Sequence, residues 1–140
     1  MNIDANNTQI DLAPGLIEYL PERRLVVITI KPVKINAEDV ELLKSTARKL
    51  INVHQQLMYI LFDIRKIKGF TKDGRDAFSK DKTPMGRSVG ILLGFGVSRI
   101  VANFMLGLNK PPYPIKAFSN KEKVLDWLEK QREKLDPDFA

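Results

Sequence analysis

The stretch SVGILLGFGVSRIVANFMLGL, Ser88 to Leu108, carries one charged residue, Arg99. As a continuous helix it would reach about 30 Å at roughly 1.5 Å per residue, enough to cross a bilayer. Three features argue against a span. Gly94-Phe95-Gly96 interrupts the run near its middle. Arg99 falls in the second half, where a charge in hydrocarbon costs roughly 2.5–3.5 kcal/mol. The two halves also differ in period. Ser88 to Phe95 has no helical stripe and reads as a buried strand. From Val97 to Leu108, Val97, Ile100, Val101, Phe104, Met105 and Leu108 form a helical stripe, with Ser98, Arg99, Ala102 and Asn103 opposite. The stretch therefore predicts a strand, a glycine turn and an amphipathic helix. Neither G-x-G-x-x-G nor G-x-x-x-x-G-K-[ST] is present. The glycines read as a tight turn, with an anion on the amides of Gly96 to Arg99 as the alternative.

The rest of the chain repeats the strand-then-helix pattern. Leu16 to Leu20 and Leu25 to Ile30 read as two strands joined by a turn at Pro21-Glu22-Arg23-Arg24, an N-terminal antiparallel β-hairpin. Asn36 is an N-cap candidate, with Glu38 and Asp39 in the first turn. Behind it Val40, Leu43, Ala47, Leu50, Ile51 and His54 share one helical face. Leu57 to Ile64 is nearly all apolar and ends on Asp63, the pattern of a strand buried on both faces. Lys72 to Asp81 reads as a short helix anchored by Ala77 and Phe78. Pro114 to Ser119 is a last strand. Ser119 and Glu122 suggest a capping box, and Val124, Leu125, Trp127, Leu128 and Leu135 form the apolar face of a final helix ending at Pro137. Strands alternating with helices predict an α/β fold, a mostly parallel five-stranded sheet built from successive βα units. Residues 1–15 read as a flexible lead-in, with Ile10 and Leu12 pairing loosely onto a sheet edge. Residues 16–136 read as a single domain.

Composition narrows the chemistry. The chain has no cysteine and one histidine, His54. That removes disulfides, thiolate metal sites and a cysteine nucleophile, and fits a cytoplasmic setting. The N-terminus lacks the basic and apolar segments of a secretory signal. His54 lies on an apolar stripe and is expected at the core edge with a hydrogen-bond partner. No G-x-S-x-G elbow accompanies it. No paired carboxylates suggest acid–base work, and Asp63 reads as a turn-capping group at a strand end. A non-enzymatic protein without cofactor or metal is expected. The net charge of +6 is concentrated in Arg65, Lys66, Lys68, Lys72, Arg75, Lys80, Lys82 and Arg87, facing Asp73, Asp76 and Asp81. Only Phe70 and Phe78 interleave with these charges, so a nucleic-acid platform is not expected.

Two stretches resemble the STAS/SpoIIAA-like superfamily. Ile60 to Gly74, ILFDIRKIKGFTKDG, looks like its strand-turn-helix, in which a strand ending in Asp leads to an Asp-Ser-Ser-Gly helix start. Gly86 to Lys130 looks like a bacterial STAS-like subgroup of unassigned function, with Asn-Lys-Pro before a short strand and a Trp-Leu helix. The resemblance implies a SpoIIAA-like sheet with helices mainly on one side. It also implies a regulatory or protein-interaction module. Counted from Asp63, the family motif falls on Thr71-Lys72-Asp73-Gly74. Asp73 occupies the place of the serine that is phosphorylated in anti-sigma-factor antagonists, so a phospho-switch is not expected there. The interaction surface implied is Asp63, Arg65, Lys72, Asp73, Arg75 and Phe78. The alternative is a carrier or sensor of an apolar, lipid-like ligand, with the helix of Ile100, Phe104, Met105 and Leu108 as a lid. Arg99, Phe104 and Leu106 are its candidate contacts, Leu106 because it lies off the main stripe. Because the central strands are apolar on both faces while helices cover one, a homodimer is expected to cover the other.

Overall fold

A computed structural model describes residues 8–55, 57–80, 86–107 and 113–137. Asp81, Lys82, Leu108, the Asn-Lys-Pro segment and the first seven residues of the expected lead-in lie outside them. The main sheet has six strands: β1 (Gln9–Asp11), β2 (Gly15–Leu20), β3 (Leu25–Ile30), β5 (Tyr59–Asp63), β7 (Ser88–Leu92) and β8 (Ile115–Phe118), in the spatial order β1-β2-β3-β5-β7-β8. β1, β2 and β3 pair antiparallel, and β3, β5, β7 and β8 pair parallel. Four helices follow their strands: α1 (Ala37–His54), α2 (Lys72–Lys80), α3 (Val97–Leu106) and α4 (Lys121–Leu135).

Every parallel strand is added on the same side of the one before it. Right-handed crossovers stepping one way place their helices on one face. On that face Ile28, Ile60, Phe62 and Ile91 join Val40, Leu43 and Leu50 of α1 and Val101 and Met105 of α3 in a single core. α4 is followed by no strand among the described residues, and it packs on the opposite face. There Leu25, Tyr59, Leu61 and Leu92 meet Val124 and Leu128. Gly90 makes this approach possible: a Cβ there would lie 2.4 Å from Val124 Cγ2. The second face of the parallel strands is thus covered by the chain's own last helix, so the sheet itself makes no demand for a second copy. The helices are mainly on one side, as expected, with α4 the exception.

Other differences from the sequence reading have local causes. The sheet has six strands, not five, because Gln9–Asp11 forms an edge strand and buries Ile10 and Leu12. Lys31 fixes this edge: its Nζ lies 2.6 Å from Asp11 Oδ1 and 2.7 Å from the Leu12 carbonyl. A separate parallel pair, β4 (Lys34–Ile35) with β6 (Gly69–Phe70), precedes α1 and α2. Two-residue strands are too short to show a period. β7 stops at Leu92, and Phe95, expected inside a strand, is 90% exposed. The N-cap of α4 is Asn120, not Ser119; its side chain accepts from the Lys123 amide at 3.1 Å. α1 starts as expected, with a reciprocal capping box between Asn36 and Asp39. His54 packs against the Tyr19 ring at 4.2 Å, but its buried Nε2 has no hydrogen-bond partner among the described residues.

α3 is rotated from its expected stripe. Its buried residues are Ser98, Val101, Ala102 and Met105, while Ile100 is 70% and Val97 43% exposed. Ser98 accounts for the rotation. Its Oγ accepts from the Gly94 amide at 2.8 Å and donates to the Phe95 carbonyl at 3.3 Å. The hydroxyl thus closes the turn from inside, and small Ser98 and Ala102 let α3 lie close to the protein. Gly96, at φ +63°, allows the entry.

Candidate functional site

α2 is held by polar contacts at both ends. At its start Thr71 Oγ accepts from the Gly74 amide at 3.1 Å and also contacts the Asp73 carboxylate. Gly74 has no room for a side chain, since a Cβ would sit 2.2 Å from the Ile35 carbonyl. The glycine of the motif is therefore a close-approach residue between α2 and β4. Asp73 is fully exposed, yet its carboxyl is held below its ordinary pKa, first by the Thr71 hydroxyl and then by amides that include Gly74 and Ala37. Asp73 thus acts locally, joining the starts of α1 and α2. At the far end, buried Lys44 of α1 donates to the carbonyls of Phe78 at 3.1 Å and Ala77 at 3.4 Å. A cation on the last carbonyls of a helix complements its dipole. Position 44 belongs to the apolar stripe by spacing; the charge of its occupant hid it from a hydropathy reading.

Between α2 and α3 lies a cleft of about 190 Å³ lined by Gly69, Phe70, Arg75, Val97, Ile100, Val101 and Phe104. Phe70, Phe78 and Phe104 form an aromatic cluster at its base, with ring centroids 5.6–6.3 Å apart. Below the cluster an apolar cavity of about 20 Å³ separates α2 from the sheet, lined by Ile30, Ile35, Val40, Leu43, Lys44, Phe62, Phe70 and Phe78. The exposed flank of α3, Val97 and Ile100, continues the cleft outward, and Phe95 stands two residues earlier on the glycine turn. The guanidinium of Arg99 lies 6.0 Å from the Phe95 ring centroid.

The structure brings together some candidates and separates others. Arg75 and Phe104 line the cleft, and Phe78 reaches it through the aromatic cluster. Arg99 belongs to the adjoining turn. Lys72 and Asp73 mark the start of α2, and Leu106, 39% exposed, lies at the opposite end of α3. Strand alternation sends Asp63 to the α4 face, where Tyr59 and Leu61 also point. Asp63 is buried and accepts two hydrogen bonds from the Arg65 guanidinium, at 3.0 and 2.8 Å, so it lies apart from the cleft. This bond raises the pKa of Arg65 further. Arg87 leaves the basic cluster altogether. It joins Arg24 and Tyr59 around Asp136 at the opposite end of the sheet, with Arg24 at 3.3 Å and Arg87 at 3.4 Å from the carboxylate. Burial and the Asp136 hydrogen bond push Tyr59 up to about 12. Phe95, Val97 and Ile100 were missed as surface residues because their hydropathy matches a core stripe. The signal that marks them is Ser98, a hydroxyl four residues after Gly94 that can close the turn.

This arrangement of a hairpin, successive βα units and a last helix on the second face is a SpoIIAA-like fold. It is similar to the crystal structure of an uncharacterized DUF3478-family protein with a SpoIIAA-like fold from Shewanella loihica PV-4, with TM-score 0.52 and 17% identity over 91% of this chain and 99% of that one. The chain belongs to the family described as domain of unknown function DUF7793, whose model matches residues 20–132. Nothing among curated proteins matches it. No group of three or more His, Cys, Asp or Glu side chains among the described residues is placed to hold a metal, and no described helix is long and apolar enough to cross a membrane.

Proposed function

We propose that this chain is a non-catalytic interaction module that binds a protein partner across the α2–α3 cleft and the adjoining glycine turn. The observation that carries this reading is the continuity of an open apolar cleft with three exposed large side chains, Phe95, Val97 and Ile100. Covering a Phe, Val or Ile side chain fully stabilises by about 1.5–3 kcal/mol, so their exposure together is costly unless something docks there. The departure at Asp73 fits a surface without phosphate control at that position.

The apolar-carrier reading meets a size limit. Pockets that enclose a small molecule hold roughly 300–1,000 Å³. The interior cavity of about 20 Å³ has room for about one water. An enclosed acyl chain would require α2 to leave α1, against the two Lys44 hydrogen bonds. The open cleft, continuing onto exposed Val97 and Ile100, is better suited to a partner's surface than to an enclosed small molecule.

The test is photo-cross-linking in the native host, with a photoreactive residue in place of Ile100 and, as control, in place of exposed Lys130 on α4. A discrete protein adduct at position 100 and none at 130 is expected. Adducts only with a second copy, or none at either position, would refute a protein partner at this surface.

A further inference from the structure

The cleft has a repeat and a charge. From α3 it takes Val97, Ile100, Val101 and Phe104, the spacing i, i+3, i+4, i+7. That is a ridge about 10 Å long, two turns of helix. The rest of the lining is Gly69 and Phe70 of β6 and, from α2, Arg75. A groove between two helices, apolar for two turns along one wall, has the shape that accepts a third amphipathic helix. Beside it Lys68, Lys72 and Arg75 are exposed. None of the three forms a salt bridge with a described carboxylate. Of the acidic residues on α2, Asp73 is engaged with Thr71 and the start of α1, which leaves Asp76 against three cations.

We infer that the occupant of the α2–α3 cleft is an acidic amphipathic helix of a partner protein, its apolar residues seated on exposed Val97 and Ile100 over the cleft floor and its carboxylates facing Lys68, Lys72 and Arg75. This rests on the protein-partner reading and specifies the partner's chemistry. A second copy of this chain fits less well: a two-fold contact through this patch would bring Lys72 and Arg75 toward the same cations of the other copy, and like charges oppose such a pairing. A flat bilayer leaves the recess between the helices unfilled.

The experiment uses two fluorescein-labelled synthetic peptides with leucine at i, i+3, i+4 and i+7. One carries glutamate at the remaining helical positions and the other lysine. Anisotropy is followed against the full-length protein at ~0.05 M and ~0.3 M salt, a rise that shortens the screening length about 2.5-fold. The glutamate peptide is expected to bind in the micromolar range and weaken with salt, and the lysine peptide not to bind. Ile100→Ser and Arg75→Glu should each weaken the glutamate peptide about five- to tenfold. Arg75→Glu should also improve the lysine peptide, a reversal that misfolding cannot imitate. Both sites are exposed, and circular dichroism checks that each variant folds. Equal binding of the two peptides, insensitivity to Ile100→Ser, or binding to phosphatidylserine vesicles without binding to the glutamate peptide would overturn the inference. A protein adduct at position 100 without acidic preference would leave the partner reading standing and remove only the acidic helix.

Discussion

Replacing Gly90 with alanine tests whether α4 belongs on the second face of the sheet. The new Cβ would lie 2.4 Å from Val124 Cγ2 and 3.4 Å from Leu128 Cδ1. Carbon atoms pack best at about 3.5–4.0 Å. Val124 is fully buried and a branched side chain has few alternative rotamers, so α4 itself must move by about 1 Å. Overpacking of this kind costs about 1–3 kcal/mol. Removing a glycine from a strand returns about 0.5–1 kcal/mol. A 2.4 Å approach to a buried, branched side chain lies at the upper end of that range, so the net expected loss is about 1–2 kcal/mol. With a urea m-value of about 2 kcal/mol per molar, the unfolding midpoint should fall by about 0.5–1 M. The lone tryptophan, Trp127, stands on α4 with its ring 5.7 Å from that of Phe118, so its fluorescence reports the affected helix directly. Val124→Ala removes the atom that Gly90→Ala strikes. The double variant should be more stable than the sum of the single losses by at least about 1 kcal/mol. Strict additivity, or a neutral Gly90→Ala, would refute the packing of α4 over Gly90.

Two further outcomes follow from local contacts. All three tyrosines are shifted above their ordinary value of 10.0, Tyr19 and Tyr113 chiefly by burial and Tyr59 to about 12. The Tyr59 contribution to stability is complete below pH 10 and is lost as pH rises toward about 12. For Asp136, burial works against ionisation, but the Tyr59 hydrogen bond and the Arg24 and Arg87 charges outweigh it and lower its pKa. Its contribution is therefore present above the ordinary 3.8 and is lost as pH falls below it. In an ultraviolet titration Asp136→Asn should bring Tyr59 ionisation down toward 10.0 and flatten the acid limb of stability; three native tyrosines all titrating near 10.0 would contradict this. Gly74→Ala should unseat the start of α2 from Ile35, because its Cβ would fall 2.2 Å from the Ile35 carbonyl oxygen, speeding amide exchange in α2 at least tenfold while that in β5 stays slow; unchanged α2 exchange would refute the close packing of Gly74 on Ile35.

What the sequence disclosed depended on how many residues carried each signal. β3, β5 and β7 have long apolar runs that could only be strands buried on both faces, and Asn36 with Asp39 spelled out the start of α1. β4 and β6 have two residues each, too few to show a period, and β1 showed itself only through Ile10 and Leu12, the two apolar positions expected at a sheet edge. The site was harder for a different reason. Hydropathy says that Ile100 prefers to be covered but not by what, and the α3 stripe fits the inward and the outward orientation almost equally. Ser98 decides between them, through a hydrogen bond to a backbone amide that a polarity pattern assigns to solvent. Arg65 and Arg87 also looked like parts of one basic surface. The fold sends one to Asp63 and the other to Asp136, Arg99 lies against Phe95 of the glycine turn, and the charge left beside the cleft is the smaller set of Lys68, Lys72 and Arg75.

The one-way addition of the parallel strands has a consequence for where this protein can meet other molecules. Open α/β sheets usually receive ligands at a topological switch point, where two neighbouring crossovers depart to opposite sides and leave a crevice beyond the strand ends. The order β3-β5-β7-β8 never reverses, so its parallel strands create no such crevice. On the reading proposed above, recognition is displaced sideways, into the seam where two successive crossover helices diverge, where variation in the loops entering those helices would retune specificity without disturbing the sheet.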